Sequence, residues 1–294
     1  MFNPNEEKAC RRLIELALEE DLGAYVDLTS YAFFSAKKRG EAVFVARERG
    51  VVAGSPAVAL VLSAVDRKLA SEPLVEEGAG VEAGTKLIRV EGPMRSLLTA
   101  ERTALNFLQH LSGVASITRR FVDAIAGIPC QILDTRKTIP GWRLLEKYAV
   151  RCGGGHNHRM GLYDAILIKD NHLAPRGGGL KAITSAVQSA RTFLEPQKLR
   201  PPRFVEIEVE DLGQLDTALA AAPDIVLLDN MTPDDMHEAV RRRNAVARGV
   251  LLEASGGVTL QTVRPIAETG VDRISVGALT HSAPALDIAL DVHV

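Results

Sequence analysis

Six short apolar runs recur between residues 131 and 278: QILD (131–134), AILIKD (165–170), FVEIEVE (204–210), IVLLDN (225–230), VLLEASGG (250–257) and RISVGA (273–278). Between them lie patterns compatible with helices, over 141–149, 180–193, 211–222, 233–243 and 259–269. Strand alternating with helix marks a parallel sheet, open or closed into a barrel. The residues at the end of each run narrow the reading. The runs end, in order, in Asp134-Thr135-Arg136-Lys137, Lys169-Asp170-Asn171, an acidic trio (Glu206, Glu208, Glu210), Asp229-Asn230, Glu253 with Ser255-Gly256-Gly257, and Gly277. In a (β/α) barrel the carboxyl ends of the strands converge on one mouth, where active sites are built. Solubility alone does not explain polar or glycine residues at all six ends.

The first ~115 residues have another rhythm, that of an α+β domain of short strands, glycine turns and a few helices. Residues 41–54 predict a strand, a turn at Arg49-Gly50 and a second strand. A helix is expected over 56–70, a strand over 84–92, and a helix over 96–113 ending at Gly113. That last helix also carries a polar stripe, Thr99, Arg102, Asn106 and Gln109, free of Lys and Glu. Solvated faces usually carry those charges, so the stripe suits a buried polar or ligand-facing groove. The expected division is therefore 1–115 and 116–294, with a Pro-rich connection at 195–203 and a last helix at 284–291.

Charge is distributed unevenly. Residues 134–172 hold seven Lys or Arg (Arg136, Lys137, Arg143, Lys147, Arg151, Arg159, Lys169) against four acids, in a chain of formal net charge -2. Such a cluster, set beside glycines and three histidines, suits a small, highly anionic ligand. A pI near 6.4 and 4% aromatic residues disfavour a nucleic-acid protein. There is no run of 18 apolar residues to span a membrane. The start reads as an amphipathic helix and not as a signal peptide. Three scattered cysteines, Cys10, Cys130 and Cys152, fit reduced thiols, and the expected location is the cytoplasm.

Two sets of groups carry the chemistry. The cations are Arg102, Arg136, Lys137, Arg159 and Lys169, with His158 beside them. Guanidinium forks bind carboxylates, and lysines serve phosphate as point charges. The acids Glu208 and Asp229 could hold sugar hydroxyls or a hydrated Mg2+. The turns Ser255-Gly256-Gly257 and Val276-Gly277-Ala278 precede helix patterns, so their amides could cradle a phosphate. Each has a plain alternative: a glycine after a strand is usually a turn, a loop Lys or Arg is usually solvated, and Asp134 and Asp170 could be structural. A zinc site at Cys152, His156, His158 and His172 is disfavoured by its spacing and by Arg151 and Arg159.

The stretch DTRKTIPGWRLLEKYAVRCGGGHNHRMGLYDAILIKDNH resembles the signature region of the quinolinate phosphoribosyltransferases. The resemblance extends through LLTAERTALNFLQHLSGVAS, VEIEVEDLGQLDTAL, IVLLDNM, LEASGGVTL and ETGVDRISVGALTHSAPALDIAL, in family order over nearly the whole chain. It implies an N-terminal α/β sandwich domain joined to an incomplete (β/α) barrel of about six parallel strands, with the chain's end packing back on the first domain. It implies a homodimer with shared active sites, the substrates quinolinate and phosphoribosyl pyrophosphate, and Mg2+ bound mainly through substrate and water. By the same resemblance, Arg102 crosses to the partner's substrate; Thr135, Arg136, His158 and Arg159 bind quinolinate. Lys137 and Lys169 serve quinolinate and pyrophosphate, Glu208 and Asp229 face the ribose and metal, and Ser255–Gly257 and Val276–Ala278 hold the 5′-phosphate. Catalytic work falls to Lys137, Lys169, Glu208 and Asp229. Rival readings are a homologue associated with molybdenum transport, a nicotinate phosphoribosyltransferase, and a non-catalytic binder of phosphorylated sugars.

Overall fold

The computed structural model describes residues 1–195 and 204–293, so most of the 195–203 connection lies outside the described residues. In chain order the first elements are α1 (Pro4–Leu22), α2 (Leu28–Phe33), β1 (Arg39–Ala46), β2 (Gly50–Val51), α3 (Ser55–Val65), β3 (Ala70–Pro73), β4 (Gly80–Val81), β5 (Lys86–Pro93) and α4 (Met94–Ala124). There follow β6 (Gln131–Leu133), α5 (Arg143–Cys152), β7 (Ile166–Ile168), α6 (Asp170–Leu173) and α7 (Gly179–Leu194). The remainder is β8 (Val205–Val209), α8 (Leu212–Ala221), β9 (Ile225–Asp229), α9 (Pro233–Val246), β10 (Leu251–Ser255), α10 (Val263–Glu268), β11 (Arg273–Ser275), α11 (Ala278–His281) and β12 (Ile288–His293).

Two compact units result. The first gathers Met1–Arg119, Lys137–Gly155 and the chain from Leu279 onward; the second gathers Arg120–Arg136 and His156–Ala278. α5 and β12 cluster with the N-terminal unit.

In the first unit an antiparallel sheet runs β12-β1-β5-β3. Buried Val43, Phe44, Val45, Ile88 and Val90 supply core from its central strands. α1 starts at a reciprocal cap: Asn3 Oδ1 accepts the Asn5 and Glu6 amides, and Glu6 Oε2 accepts the Asn3 amide. β1 and β2, the two strands expected over 41–54, do not pair with each other. β2 pairs with β4, while β1 pairs with β5 and β12. α3 stops at Val65, short of residue 70, because the Asp66 carboxylate accepts the Lys68 amide and the Ser96 hydroxyl. The expected C-terminal helix is instead the strand β12. Its short alternating text gains more from the free edge of β1, where Leu290 pairs with Phe44, than from a helix of two turns.

Gly113 does not end α4, which runs on to Ala124. Its role is close approach: a Cβ there would lie 2.0 Å from the Pro284 carbonyl oxygen. Gly113→Ala is therefore expected to cost roughly 2–3 kcal/mol by forcing backbone apart, measured as a lower midpoint in urea unfolding. Unchanged stability would contradict this packing.

The second unit is a six-stranded, all-parallel sheet in the order β6-β11-β10-β9-β8-β7. From β7 to β11 each strand pairs with the next, and β6, the first of the six, pairs with β11, the last. That cyclic order is a barrel left open between β6 and β7. All six expected strands are present. The helices between them agree within a few residues, except that α10 begins at Val263 and not at 259.

Register assigns the faces. Residues opposite one another in a parallel ladder point the same way. Glu208 is opposite Leu227, Leu227 opposite Glu253, and Glu253 opposite Arg273, so these four share one layer. Asp229 and Ser255 are opposite each other one layer nearer the carboxyl ends, and Glu206 lies one layer below Glu208. Ile207, Val209, Val226, Leu228, Leu252 and Ala254 alternate with them, all buried, and form the apolar outer face beneath the helices.

Candidate active site

The gap between β6 and β7 is partly filled by the segment after the three glycines. His156 runs parallel to Leu133; its amide donates to the Ile132 carbonyl (2.8 Å) and its carbonyl accepts the Asp134 amide (3.1 Å). Asp134 is completely buried and locks the neighbouring chain in place. Its carboxylate accepts the His158 amide (2.9 Å) and Asn157 Nδ2 (2.6 Å). The end of β6 and residues 156–159 are thus one hydrogen-bonded piece.

This piece carries two of the expected cations. Arg136 is exposed, with Thr135 half-buried beside it. Arg159 is buried and donates from Nη1 to the Ala165 carbonyl (3.2 Å). Burial, and then the positive charge of Arg136, push its pKa down from the guanidinium range. Two arginines that repel each other at a partly dry site favour a bound anion strongly.

On the next strand ends, the ammonium of Lys169, at the start of α6, forms an ion pair with Glu208. Asp229 closes β9 and receives Asn230 Nδ2 at 2.8 Å. The turns after β9 and β10 interlock. Asn230 sits at φ 54° and donates its amide to the Ser255 carbonyl (2.9 Å). A Cβ at position 256 would meet Asn230 Oδ1 at 2.2 Å, and Gly256 has φ 100°, so only glycine fits. With α10 starting at Val263, the 255–257 turn is not a helix N-terminus; its exposed amides stand on positive-φ glycines instead. Val276 is buried and donates its amide to the Leu133 carbonyl (2.9 Å), and Gly277 leads into Ala278 at the head of α11.

His158 faces inward. Its Nε2 lies 3.0 Å from Glu206 Oε2 and 3.3 Å from Glu253 Oε1, and its Nδ1 accepts the Arg159 amide at 2.8 Å. Arg273 Nε lies 3.1 Å from Glu253 Oε2. Burial opposes charge on the ring, but the two carboxylates outweigh it and push its pKa up to about 9. Burial and the neighbouring Glu253 raise the Glu206 pKa, whereas His158 and Arg273 hold that of Glu253 down. Glu253 and Arg273 had only general sequence signals, an acid inside an apolar run and a base opening one. A charge interrupting such a strand must be paired inside the barrel.

Of the residues weighed as a zinc site (Cys152, His156, His158 and His172), only His158 falls in a potential metal-ligand group among the described residues, with Glu206 and Glu253, and His172 Nδ1 accepts the Lys169 amide. Arg102 and Lys137 belong to the first unit, both exposed. Of the polar stripe on α4, Arg102 and Asn106 are open, while Thr99 Oγ1 donates to the Arg95 carbonyl and Gln109 Nε2 to the Ile288 carbonyl. Half of the stripe is thus structural. Asp170 begins α6, where its carboxylate accepts the Asn171 amide.

Comparison with known proteins agrees over the full chain. Residues 27–112 match the model of the quinolinate phosphoribosyl transferase N-terminal domain, and 114–291 that of the C-terminal domain. The nicotinate-nucleotide pyrophosphorylase [carboxylating] of Mycobacterium leprae is 45% identical over 294 residues, covering 99% of this chain and 100% of the relative. Its counterpart in Bacillus subtilis, described as probable, is 40% identical over 96% of this chain and 93% of its own. The structure of the nicotinate-nucleotide pyrophosphorylase from Francisella tularensis superposes with a TM-score of 0.88 at 40% identity, covering 99% of this chain and 98% of its own. With both domain models matched in order over most of its length, the chain belongs to the quinolinate phosphoribosyl transferase family.

Proposed function

We propose that this protein transfers the phosphoribosyl group of phosphoribosyl pyrophosphate to quinolinate with decarboxylation, giving nicotinate mononucleotide, pyrophosphate and CO2, a step of de novo NAD biosynthesis. The observations that support this reading are the buried Arg159, which feels the positive charge of Arg136 just past β6, and the Lys169–Glu208 ion pair at the carboxyl ends of β7 and β8 in the same sheet. Quinolinate has two carboxylates and the sugar donor several more negative charges. Their mutual repulsion must be offset before they can react.

In the proposed sequence Arg136 and Arg159, with Thr135 and Lys137, take the carboxylates. The turns 255–257 and 276–278 take the 5′-phosphate, the second without the Val276 amide, which the Leu133 carbonyl holds. The C1–oxygen bond to pyrophosphate breaks, leaving an oxocarbenium-like ribose, with Lys169 opposing the charge that gathers on the leaving group. The pyridine nitrogen donates its pair to C1 and becomes cationic. Its positive charge then stabilises the electron pair that the C2–carboxylate bond leaves on C2 as CO2 departs, and a proton from water takes up that pair.

Glu208 and Asp229 are hard oxygen donors on adjacent strand ends, and Lys169 already occupies Glu208. That is a poor all-protein cage but suits a cation that keeps its waters, so they would hold Mg2+ mainly through water and substrate. When bound, Mg2+ supplies charge neutralisation at the pyrophosphate.

The working form is proposed to be a homodimer in which Arg102 reaches the partner's substrate. Support comes from the exposure of Arg102 and of the apolar side chains Tyr25, Leu28 and Phe33 in the same unit. Mixing Arg102→Ala with Lys169→Ala protein should restore turnover in mixed dimers; no recovery after verified subunit exchange would refute sharing. A cytoplasmic location is proposed in line with the finding that no described helix is long and apolar enough to cross a membrane. The deciding assay combines quinolinate, phosphoribosyl pyrophosphate and Mg2+. Nicotinate mononucleotide and CO2 in equal amounts are expected. Turnover of nicotinate but not of quinolinate would overturn the proposal.

A further inference from the structure

Asn230 follows Asp229 at the end of β9, and no step above uses it. Among the described residues only Ala222 and Asn230 hold a positive φ without being glycine. Ala222 does so at φ 51° as an ordinary helix end, its amide donating to the Leu219 carbonyl. Asn230 does so at φ 54°, one residue past a strand, at the carboxyl end of the barrel sheet. Asparagine enters this region more readily than any residue with a branched or bulky side chain. A turn alone, however, would be served as well by glycine. What sets Asn230 apart is the set of groups it touches.

Its side-chain Nδ2 donates to Asp229 Oδ2 at 2.8 Å. The opposite placement of the amide would set an oxygen against a carboxylate, so the neighbours fix its direction. Its backbone amide donates to the Ser255 carbonyl at 2.9 Å, which carries the pairing of β9 with β10 one residue beyond the Asp229–Ser255 partners. Its Oδ1 stands over the next turn, where a Cβ at Gly256 would lie 2.2 Å away. One side chain is thus wedged between the acid that ends β9 and the turn that follows β10. Both neighbours need such a brace. A carboxylate at a strand end can rotate about two torsions, and Gly256 and Gly257, at φ 100° and 58°, have the widest backbone freedom of any residue type.

We infer that Asn230 is a positioning residue for the sugar donor: its side chain aims the Asp229 carboxylate at the ribose and, by filling the space over Gly256, holds the 255–257 turn in the shape that receives the 5′-phosphate. This rests on the roles given to Asp229 and to that turn above. Two grips on one small ligand, from adjacent strands, work only when their spacing is fixed, and Asn230 is the piece that spans them. Loss of such an outer partner weakens binding without removing any direct contact. Quinolinate is outside its reach, because the arginines proposed to hold it stand at β6 and on the segment tied to β6.

Two variants separate this role from a merely structural one. Asn230→Gly removes the side chain and leaves a backbone that accepts positive φ, so its midpoint in urea should stay close to that of the unaltered protein. Asn230→Asp keeps the size and the tolerance of positive φ but turns the contact with Asp229 into a repulsion. In calorimetric titrations with Mg2+ present, the Kd for phosphoribosyl pyrophosphate should rise about tenfold or more in Asn230→Gly and further in Asn230→Asp, with the Kd for quinolinate within about threefold in both. Unchanged binding of phosphoribosyl pyrophosphate by either folded variant overturns the inference, as does an equal weakening of both ligands. If Asn230→Gly does not fold, Asn230→Asp decides. Unaltered protein that fails to bind phosphoribosyl pyrophosphate overturns the inference together with the proposed function. Unaltered protein that binds it but forms no nicotinate mononucleotide overturns the reaction alone, and the loss in the two variants still supports the inference.

Discussion

Lys169→Ala is expected to lower kcat by about 100- to 1000-fold, the usual cost of removing one preorganised electrostatic group from a reacting centre. The loss has two parts. The ammonium that opposes charge on the departing pyrophosphate disappears. Glu208, now without its partner, presents a bare carboxylate to an already anionic substrate. Lys169→Arg keeps the charge and should recover part of the rate, though a planar fork does not reproduce a compact point charge. Stability should hardly change, because the Lys169 side chain is 42% exposed and such pairs contribute little to folding. The check is steady-state turnover at saturating quinolinate and phosphoribosyl pyrophosphate, with thermal unfolding alongside. A kcat within about fivefold of the unaltered enzyme would remove Lys169 from the reaction, since such a change is far below that expected for a group of this kind.

Asp134→Ala should be the most damaging single change to the barrel unit. Asp134 is completely inaccessible, and its carboxylate accepts both the His158 amide and the Asn157 side chain. Alanine leaves those donors buried without their acceptor, and the 156–159 segment loses its attachment to the end of β6. Losing a buried, hydrogen-bonded carboxylate of this kind costs on the order of 3–5 kcal/mol. Asp134→Asn retains one carbonyl acceptor for the His158 amide and should lose about half as much. Denaturant unfolding measures both, and quinolinate KM should rise in parallel as Arg159 loosens. Equal stabilities for Asp134→Ala and the unaltered protein would mean that the segment is held by other contacts.

The six barrel strands were legible because each is a short apolar run with a polar or glycine end, and because local pattern decides strand existence. The carboxyl-end residues were legible for the same reason: Lys169, Asp229 and Ser255 follow directly from where each run stops. Features set by tertiary contact were not. Gly113 has the look of a helix stop, yet its absent side chain serves the passing Pro284 backbone, 171 positions away. The 284–291 text has few helix-breaking signals after Pro284, and only the unpaired edge of β1 makes its end a strand. Glu206, Glu208 and Glu210 alternate identically in sequence. Register sends Glu206 into the interior and Glu208 to the next layer up, while Glu210 lies exposed beyond the strand. His158, one residue from Arg159, also faces two acids on strands 48 and 95 residues downstream, a contact no local pattern foretells.

The most direct test of the account is a crystal structure with quinolinate bound. The account predicts its carboxylates on the guanidinium groups of Arg136 and Arg159, with Lys169, Glu208 and Asp229 lining the space where the sugar donor enters and His158 still turned inward on Glu206. Quinolinate seated elsewhere, with Arg136 and Arg159 left in solvent or on other protein groups, would contradict it.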